Sequence, residues 1–308
     1  MDTVKTVENK KLIWTNISSP GERELEFLKS NFSFHELDLR ECPPPIQRPK
    51  IIDRNKYLFM ILQFPVYNEK KRRIYASEVD FFISENFIVT VNDGARLEPL
   101  QKFFDECQTN ERLLQETFAN NYVLLYTILD KLLLRCFPML NHIGWDIDVI
   151  EKKIFTNFDR QMVKEVLIIK RNIVNFRKSM QAHKNVLKKL TQKSDRFSTP
   201  ANFEPYFLEL VERTKEIWDL LENYREAINA LYETHDSLSA FRLSNIMKTL
   251  TIFSVIVFPL TLLAAIFGMN TLGAMPFINH PYGFWLIMGG MLVGMVAMFV
   301  YFKSRKWI

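Results

Sequence analysis

The sequence predicts an α+β cytosolic domain that leads into a long helix and ends in a two-helix transmembrane hairpin. Three observations predict it. Over the first third of the 308 residues, apolar side chains alternate in short runs, the period of strands. From about Pro99 the apolar spacing becomes three and four, the period of helices. From Thr249 to Phe302 there is no Asp, Glu, Lys or Arg.

The elements follow in order. Lys11–Asn16 reads as a strand, and Pro20-Gly21 opens an acidic helix over Glu22–Lys29. Pro43 to Pro49 reads as loop. Tyr57–Val66, Arg73–Ile83 and Asn86–Val91 carry alternating apolar residues. Asn68-Glu69-Lys70-Lys71 and Ser84-Glu85-Asn86 separate them, so hairpins are expected. Helical spacing then covers Leu113–Phe155, Arg160–Leu190 and Pro205–Phe267. Pro138 and Gly144 mark places where the first of these could bend or break. Ser194 to Pro205 is the clearest interruption.

The last helical run holds no Gly, and its only internal Pro is Pro259. A helix of ~60 residues rising ~1.5 Å each would be ~90 Å long. It ends in the first of two apolar spans, about Leu250–Phe267 and Phe284–Phe302. Each is close to the ~20 residues that cross a bilayer core. Lipid leaves no partner for an unpaired backbone group, so helix is the conformation expected of both. The expected division is therefore 1–110 for the α/β domain, 111–248 for the cytosolic helical region, and 249–308 for the hairpin with its basic tail.

Charge orients the hairpin. Lys303, Arg305 and Lys306 follow the second span, and Arg242 and Lys248 precede the first. The link from Thr271 to Gly283 has no Lys or Arg. The positive-inside rule places both termini in the cytoplasm and the link outside, and the plasma (inner) membrane is the expected location. Tyr282 and Trp285 then fall at the outer interface, Tyr301 and Trp307 at the inner one. The start, Met1-Asp2-Thr3-Val4-Lys5, lacks a signal-peptide core. Cys42, Cys107 and Cys136 are far apart and odd in number, which fits a reducing compartment. The net charge of +5 requires no nucleic-acid partner. There is no Gly-x-x-x-x-Gly-Lys-Ser/Thr, His-Glu-x-x-His or Gly-x-Ser-x-Gly, and no organic cofactor or catalytic site is expected. Lys164 to Arg196 holds ten basic residues against two acids, read as a solvated helix face. Attraction to anionic lipid or to acidic positions is the other reading.

One stripe on the long helix changes chemistry along its length. Stepping back by sevens from Gly268 gives Thr261, Ser254, Met247, Ala240, Glu233, Glu226, Asp219 and Glu212. The upper part is small or weakly polar, and the lower part is four carboxylates. Leu250, Phe258 and Ala265 complete the upper face. A period of seven keeps one face toward a shared axis in a helical bundle. Such a stripe suggests a water-filled path with acids that concentrate cations at its mouth. Small residues for helix packing and a solvated acidic face are the bland alternative.

At this point the sequence resembles the CorA-type magnesium transporter family, with its zinc-transporting relatives. The resembling residues are Phe267-Gly268-Met269-Asn270, Asn245-x-Met247-Lys248-x-Leu250-Thr251, Phe258-Pro259-Leu260-Thr261 and the closing Tyr301–Ile308. Gln47-Arg48-Pro49-Lys50 and Glu78-Val79-Asp80-Phe81-Phe82-Ile83 also look like family segments. The resemblance implies a homopentameric funnel, with a stalk helix continuing into the pore helix. It implies a selectivity filter at Gly268, Met269 and Asn270, whose amide ring meets a hydrated cation. It implies an inner site at Thr261 and a hydrophobic constriction at Met247, Leu250 and Phe258. Ser254 and Ala265 complete the pore lining. Glu209 resembles the acidic position where intracellular Mg²⁺ bridges subunits and holds the pore closed, and Glu212, the first acid of the stripe, is expected to join it as a regulatory metal residue.

The implied function is passage of hydrated divalent cations, Mg²⁺ first and Co²⁺ or Ni²⁺ with it, down the electrochemical gradient. Mg²⁺ is then both substrate and regulator. The loop from Thr271 to His280 departs from many magnesium-transporting members, because it has no carboxylate. His280 is either a ligand for zinc, nickel or cobalt or a polar loop residue. Zinc transport remains an alternative, as does a membrane-anchored sensor or scaffold whose hairpin only tethers the soluble domain.

Overall fold

A computed structural model describes residues 3–9, 12–94, 97–154, 160–193, 203–269, 276, 280–305 and 307. It divides into two compact units, Met1–Tyr232 and Glu233–Ile308. The first unit opens with strands β1 (Val4–Asn9) and β2 (Leu12–Ser18), then helices α1 (Glu22–Asn31) and α2 (Glu36–Glu41). Strands β3 (Lys50–Asp53), β4 (Leu58–Asn68), β5 (Arg73–Ile83) and β6 (Phe87–Asn92) follow. The sheet order is β1-β2-β6-β5-β4-β3. Only β2 and β6 pair in parallel; the other neighbours are antiparallel.

Alternation along β4 and β5 sorts the two faces. Leu58, Met60, Leu62, Phe64, Phe81 and Ile83 join the larger core, and Phe59, Ile61 and Phe82 join the smaller one with Leu28 and Leu39. Successive side chains on a strand point to opposite faces, so both faces of this sheet are covered. Across the parallel pair, Trp14 donates to Thr90 Oγ1 at 3.0 Å, and Thr90 donates to Asn16 Oδ1 at 2.8 Å. That chain satisfies polar groups that burial would otherwise penalise.

The large face is packed by helices α3 (Glu98–Thr109), α4 (Glu111–Thr117), α5 (Asn121–Leu134), α6 (Cys136–Ile154), α7 (Arg160–Met180) and α8 (His183–Gln192). Asn110 and Asn120 accept backbone N–H bonds at the starts of α4 and α5. The expected Leu113–Phe155 run breaks at the Asn120 cap and again at a turn at Arg135. Pro138 and Gly144 do not break it. Pro138 is the third residue of α6, within the first turn, where a missing N–H costs no helical bond. At Gly144 a Cβ would meet Tyr224 Oη at 2.8 Å, so glycine permits a close approach. The Arg160–Leu190 run breaks at Gln181-Ala182 into α7 and α8.

Helix α7 anchors to the sheet through two asparagines. Asn172 accepts from the Ile74 N–H at 3.0 Å, and Asn175 donates to the Ile74 carbonyl at 2.8 Å. Its buried face is Met162, Val166, Ile169, Ile173, Phe176 and Met180. Lys164, Arg171 and Lys178 are exposed on the other side, whereas Arg177 and Lys193 are partly buried and pair with Glu222 and Asp53. Arg196, at the end of that basic run, lies outside the described residues.

Helix α9 (Glu204–Phe267) is continuous for 64 residues, and α10 (Gly283–Ser304) has 22. In the first unit α9 buries Phe207, Leu210, Val211, Ile217, Leu221 and Ile228. Arg177 stacks over the Trp218 ring at 4.6 Å and pairs with Glu222, which ties α7 to α9. Both α9 and α10 carry windows long and apolar enough to cross a membrane.

Candidate ion pathway

Helix α9 carries every upper stripe position up to its end. Met247 and Leu250 are 54% and 58% exposed, and Phe258 is 70% exposed. Thr261 and Ala265 are also exposed, and Ser254 is half-buried. None of the α9 membrane-length window is buried in the isolated chain. Positions 247, 250, 254, 258, 261, 265 and 268 step by three or four, so they share one side of the helix. From 247 to 268 they cover roughly 30 Å, the thickness of a bilayer core.

The hydroxyls on and beside this stripe are committed in a particular way. Thr261 donates to the Val257 carbonyl at 2.9 Å, Ser254 to Leu250 at 2.9 Å, and Thr251 to Met247 at 2.8 Å. Each proton is spent on the helix itself, a common device for hydroxyls within helices. The oxygen keeps an acceptor lone pair turned outward. An acceptor suits a hydrated cation, whose water protons point away from the metal.

The helix closes at the motif. Gly268 donates its N–H to the Ala264 carbonyl at 2.9 Å, and Met269 donates to Ile266 at 3.2 Å. A Cβ on residue 268 would meet the Ala264 oxygen at 3.1 Å, so a larger residue would strain this ending. Met269 is 58% exposed. Asn270 lies outside the described residues, as do Thr271–Met275. His280 Nδ1 accepts from the Tyr282 N–H at 3.2 Å, a local turn bond. Pro259 has no N–H to give, so the Val255 carbonyl lacks its helical donor while α9 continues.

Below the apolar window, Glu212, Asp219, Glu226 and Glu233 are all exposed. The first three lie opposite the buried row of Leu210, Thr214, Ile217 and Leu221. Glu212 pairs with Lys215 at 3.7 Å. Glu209 is engaged on both oxygens: Arg213 binds Oε1 at 2.5 Å and the Tyr126 hydroxyl donates to Oε2 at 3.3 Å. Arg213 also pairs with Asp130 at 3.1 Å. Burial pushes the Asp130 carboxyl up, opposed by the Arg213 guanidinium. Burial, with Asp130 and Glu209 nearby, pushes the Tyr126 hydroxyl up to about 12. Among the described residues, no three His, Cys, Asp or Glu side chains of one chain converge to hold a metal ion.

The family resemblance singles out Glu209 and none of its neighbours Tyr126, Asp130 and Arg213. The Glu209–Arg213 spacing of four is a readable helix ion pair. Asp130 and Tyr126 are brought there only by the packing of α5 and α9.

A sheet-bearing unit followed by two exposed apolar helices, the first of them continuous for 64 residues, fits a membrane protein. The sequence profile of the CorA-like Mg²⁺ transporter protein family matches residues 9–304. A cobalt/magnesium transport protein CorA of Thermotoga maritima is 27% identical over 302 residues, covering 96% of this chain and 83% of that one. A cobalt/magnesium transport protein CorA of Methanocaldococcus jannaschii is 26% identical over 303 residues, covering 98% and 93%. The complete structure of the CorA magnesium transporter from Methanocaldococcus jannaschii superposes with a TM-score of 0.84 at 23% identity, covering 100% of this chain and 95% of that one. The cytoplasmic domain of ZntB from Vibrio parahaemolyticus shares the soluble fold, with a TM-score of 0.60 at 10% identity over 75% of this chain and 89% of that one. The chain belongs to the CorA-like Mg²⁺ transporter family. It is thus a divalent-cation transporter of the membrane and not an enzyme.

Proposed function

We propose that this chain forms a homopentameric channel that admits hydrated Mg²⁺ into the cytoplasm and closes when internal Mg²⁺ is high. The observation that carries the reading is the uncharged stripe from Met247 to Ala265, which ends at the tight Gly268 turn of the Gly-Met-Asn motif. Five copies of such a stripe around an axis give a path with hydroxyl acceptors inside and apolar surface outside. Gly268, Met269 and Asn270 form the outer filter. Mg²⁺ sheds water reluctantly, so a ring of neutral oxygen ligands can hydrogen-bond its hydration shell without stripping it. Neutrality also lets the ion leave.

Met247, Leu250 and Phe258 form the constriction, which gates by excluding water. An inside-negative potential of 100 mV contributes about 2.3 kcal/mol per charge, so inward flow needs no ATP. Both termini face the cytoplasm at the plasma membrane, with the division into 1–110, 111–248 and 249–308 as the working parts. Glu209 and Glu212 provide cytosolic ligands for the regulatory cation. One chain supplies no complete ligand set among its described residues, which supports a site shared between subunits. Asp219, Glu226 and Glu233 concentrate cations below the pore.

The test is flux into liposomes containing the purified protein, with Mg²⁺, Co²⁺, Ni²⁺ or Zn²⁺ outside and a negative internal potential. Mg²⁺ uptake at low internal Mg²⁺ is the expected result. Uptake of Zn²⁺ alone would assign the zinc alternative, and no flux of any cation would leave the sensor or scaffold reading.

A further inference from the structure

Glu209 stands out because its carboxylate is already served. Arg213, one helical turn along α9, holds Oε1 at 2.5 Å, and Tyr126 of α5 donates to Oε2 at 3.3 Å. The same guanidinium reaches Asp130 of α5 at 3.1 Å with its other terminal nitrogen. The side chains of Arg213 and Asp130 are only 18% and 20% exposed, whereas that of Glu209 is 53% exposed. The arginine therefore hydrogen-bonds the outer carboxylate and faces the inner one as an ion pair; the Asp130 Oδ1 has no hydrogen-bond partner among the described residues.

We propose that Arg213 is a built-in counter-cation of Glu209, which sets how much divalent cation the cytosolic site needs. This rests on the reading of Glu209 as a ligand of the regulatory cation. Three pieces of chemistry support it. A guanidinium cannot lose its proton at any physiological pH, so its charge is always present. Its fork can face two carboxylates at once, so the ion pair with Asp130 keeps the charge in place when Glu209 is taken away. A cation approaching Glu209 must displace the Arg213 arm and also sit beside its positive charge. Repulsion between a divalent and a monovalent cation a few ångströms apart in a solvated site lowers affinity by about tenfold. The closed state, stabilised only by a cation with higher affinity for it, then requires correspondingly more Mg²⁺.

The experiment uses the full-length protein in detergent and follows protease protection against MgCl₂. The expected order of half-protecting concentrations is Arg213→Gln lowest, Arg213→Lys next and wild type highest. Arg213→Gln should fall about tenfold below wild type. Arg213→Lys keeps the charge but loses the two-armed fork, and should fall about threefold. Arg213→Met, which keeps the aliphatic bulk, should match Arg213→Gln and so separates lost charge from lost packing. Glu209→Ala should need more Mg²⁺ than wild type. Arg213→Gln at the wild-type midpoint, or above it, would overturn the counter-cation while a shifted Glu209→Ala would keep the regulatory reading. Glu209→Ala at the wild-type midpoint would overturn both. If the neutral variants fail to fold, an unshifted Arg213→Lys overturns the proposal by itself.

Discussion

The two units treat apolar side chains in opposite ways. In Met1–Tyr232, Trp14, Phe59, Phe64, Phe81, Phe103 and Phe176 are each at most 1% exposed. In Glu233–Ile308, Phe253, Phe258, Phe284 and Trp285 are 64% to 70% exposed. Fully burying one such side chain is worth about 1.5–3 kcal/mol, so the second unit leaves a large driving force unused in a single chain in water. The first unit buries its apolar core within one chain, whereas the second leaves its apolar surface uncovered there. Polar groups follow the same division. The first unit seals titratable groups inside, whereas the second has no charged side chain from Thr249 to Phe302.

Changes in the second unit should alter flux with little effect on the fold of the first. The largest effect is expected at the filter. Asn270→Ala removes the amide that would meet the hydrated ion, and uptake should fall about a hundredfold while assembly persists. Flux assays paired with sizing of the purified protein check this. Met247→Gly or Phe258→Ser should raise basal conductance about tenfold by wetting the constriction. Both variants conducting less than wild type, with Mg²⁺-free solution inside, would place the gate elsewhere.

Changes in the first unit should alter stability and its pH dependence. His183 is fully buried against Phe64, with ring centroids 5.0 Å apart, and burial lowers its imidazole from 6.5 to about 4. The unfolded chain therefore binds more protons between those values, and stability is full above pH 6.5 and lost as pH falls toward 4. The loss amounts to about 3 kcal/mol, and His183→Leu should flatten this acid limb in denaturant titrations.

Glu78 has the opposite sign. Burial pushes its carboxyl up to about 7, and Asp80 beside it, wholly buried, is pushed up as well. With Cys42, both line a cavity of about 190 Å³. The folded state here binds more protons than the unfolded one, so stability is full below pH 4.5 and is lost as pH rises through about 7. Glu78→Gln keeps an acceptor for the Gln47 N–H and should recover about 2 kcal/mol at pH 8. Equal pH profiles for variant and wild type would remove this pair as the source of the alkaline limb.

What was legible in the sequence follows the same division. The two apolar helices of the second unit were legible because their signal is local, a charge-free run with two spans of membrane length. In the first unit, β4, β5 and β6 were legible from alternation and turn residues. Strand β1, helix α2 and strand β3 were not. Val4–Asn9 alternates only weakly, and only Lys10-Lys11, with no Gly, separates it in sequence from its partner β2. Helix α2 has six residues and is started by His35, which accepts the Leu37 N–H through Nδ1, an uncommon cap. Strand β3 has four residues directly after a proline-rich loop. The site followed the same rule. Stripe positions came from spacing along one helix, whereas the Arg213 pairing with Asp130 joins residues far apart in sequence and needs the packed fold. A seven-residue stripe also drifts about 20° per heptad on a straight helix. Spacing alone therefore fixes a common face over the three heptads near the motif better than over the full length down to Glu212.

The central claim is that one side of α9 borders water within the membrane. Single cysteines placed from residue 247 to residue 268, treated with a hydrophilic thiol reagent in the membrane-embedded protein, test it directly. The three native cysteines, Cys42, Cys107 and Cys136, are buried, so their background reaction should be small. Reaction is expected at 250, 254, 258, 261 and 265, slowed by Mg²⁺, with little at 253, 256 and 263. Equal reaction at all positions, or reaction confined to 253, 256 and 263, would contradict the account.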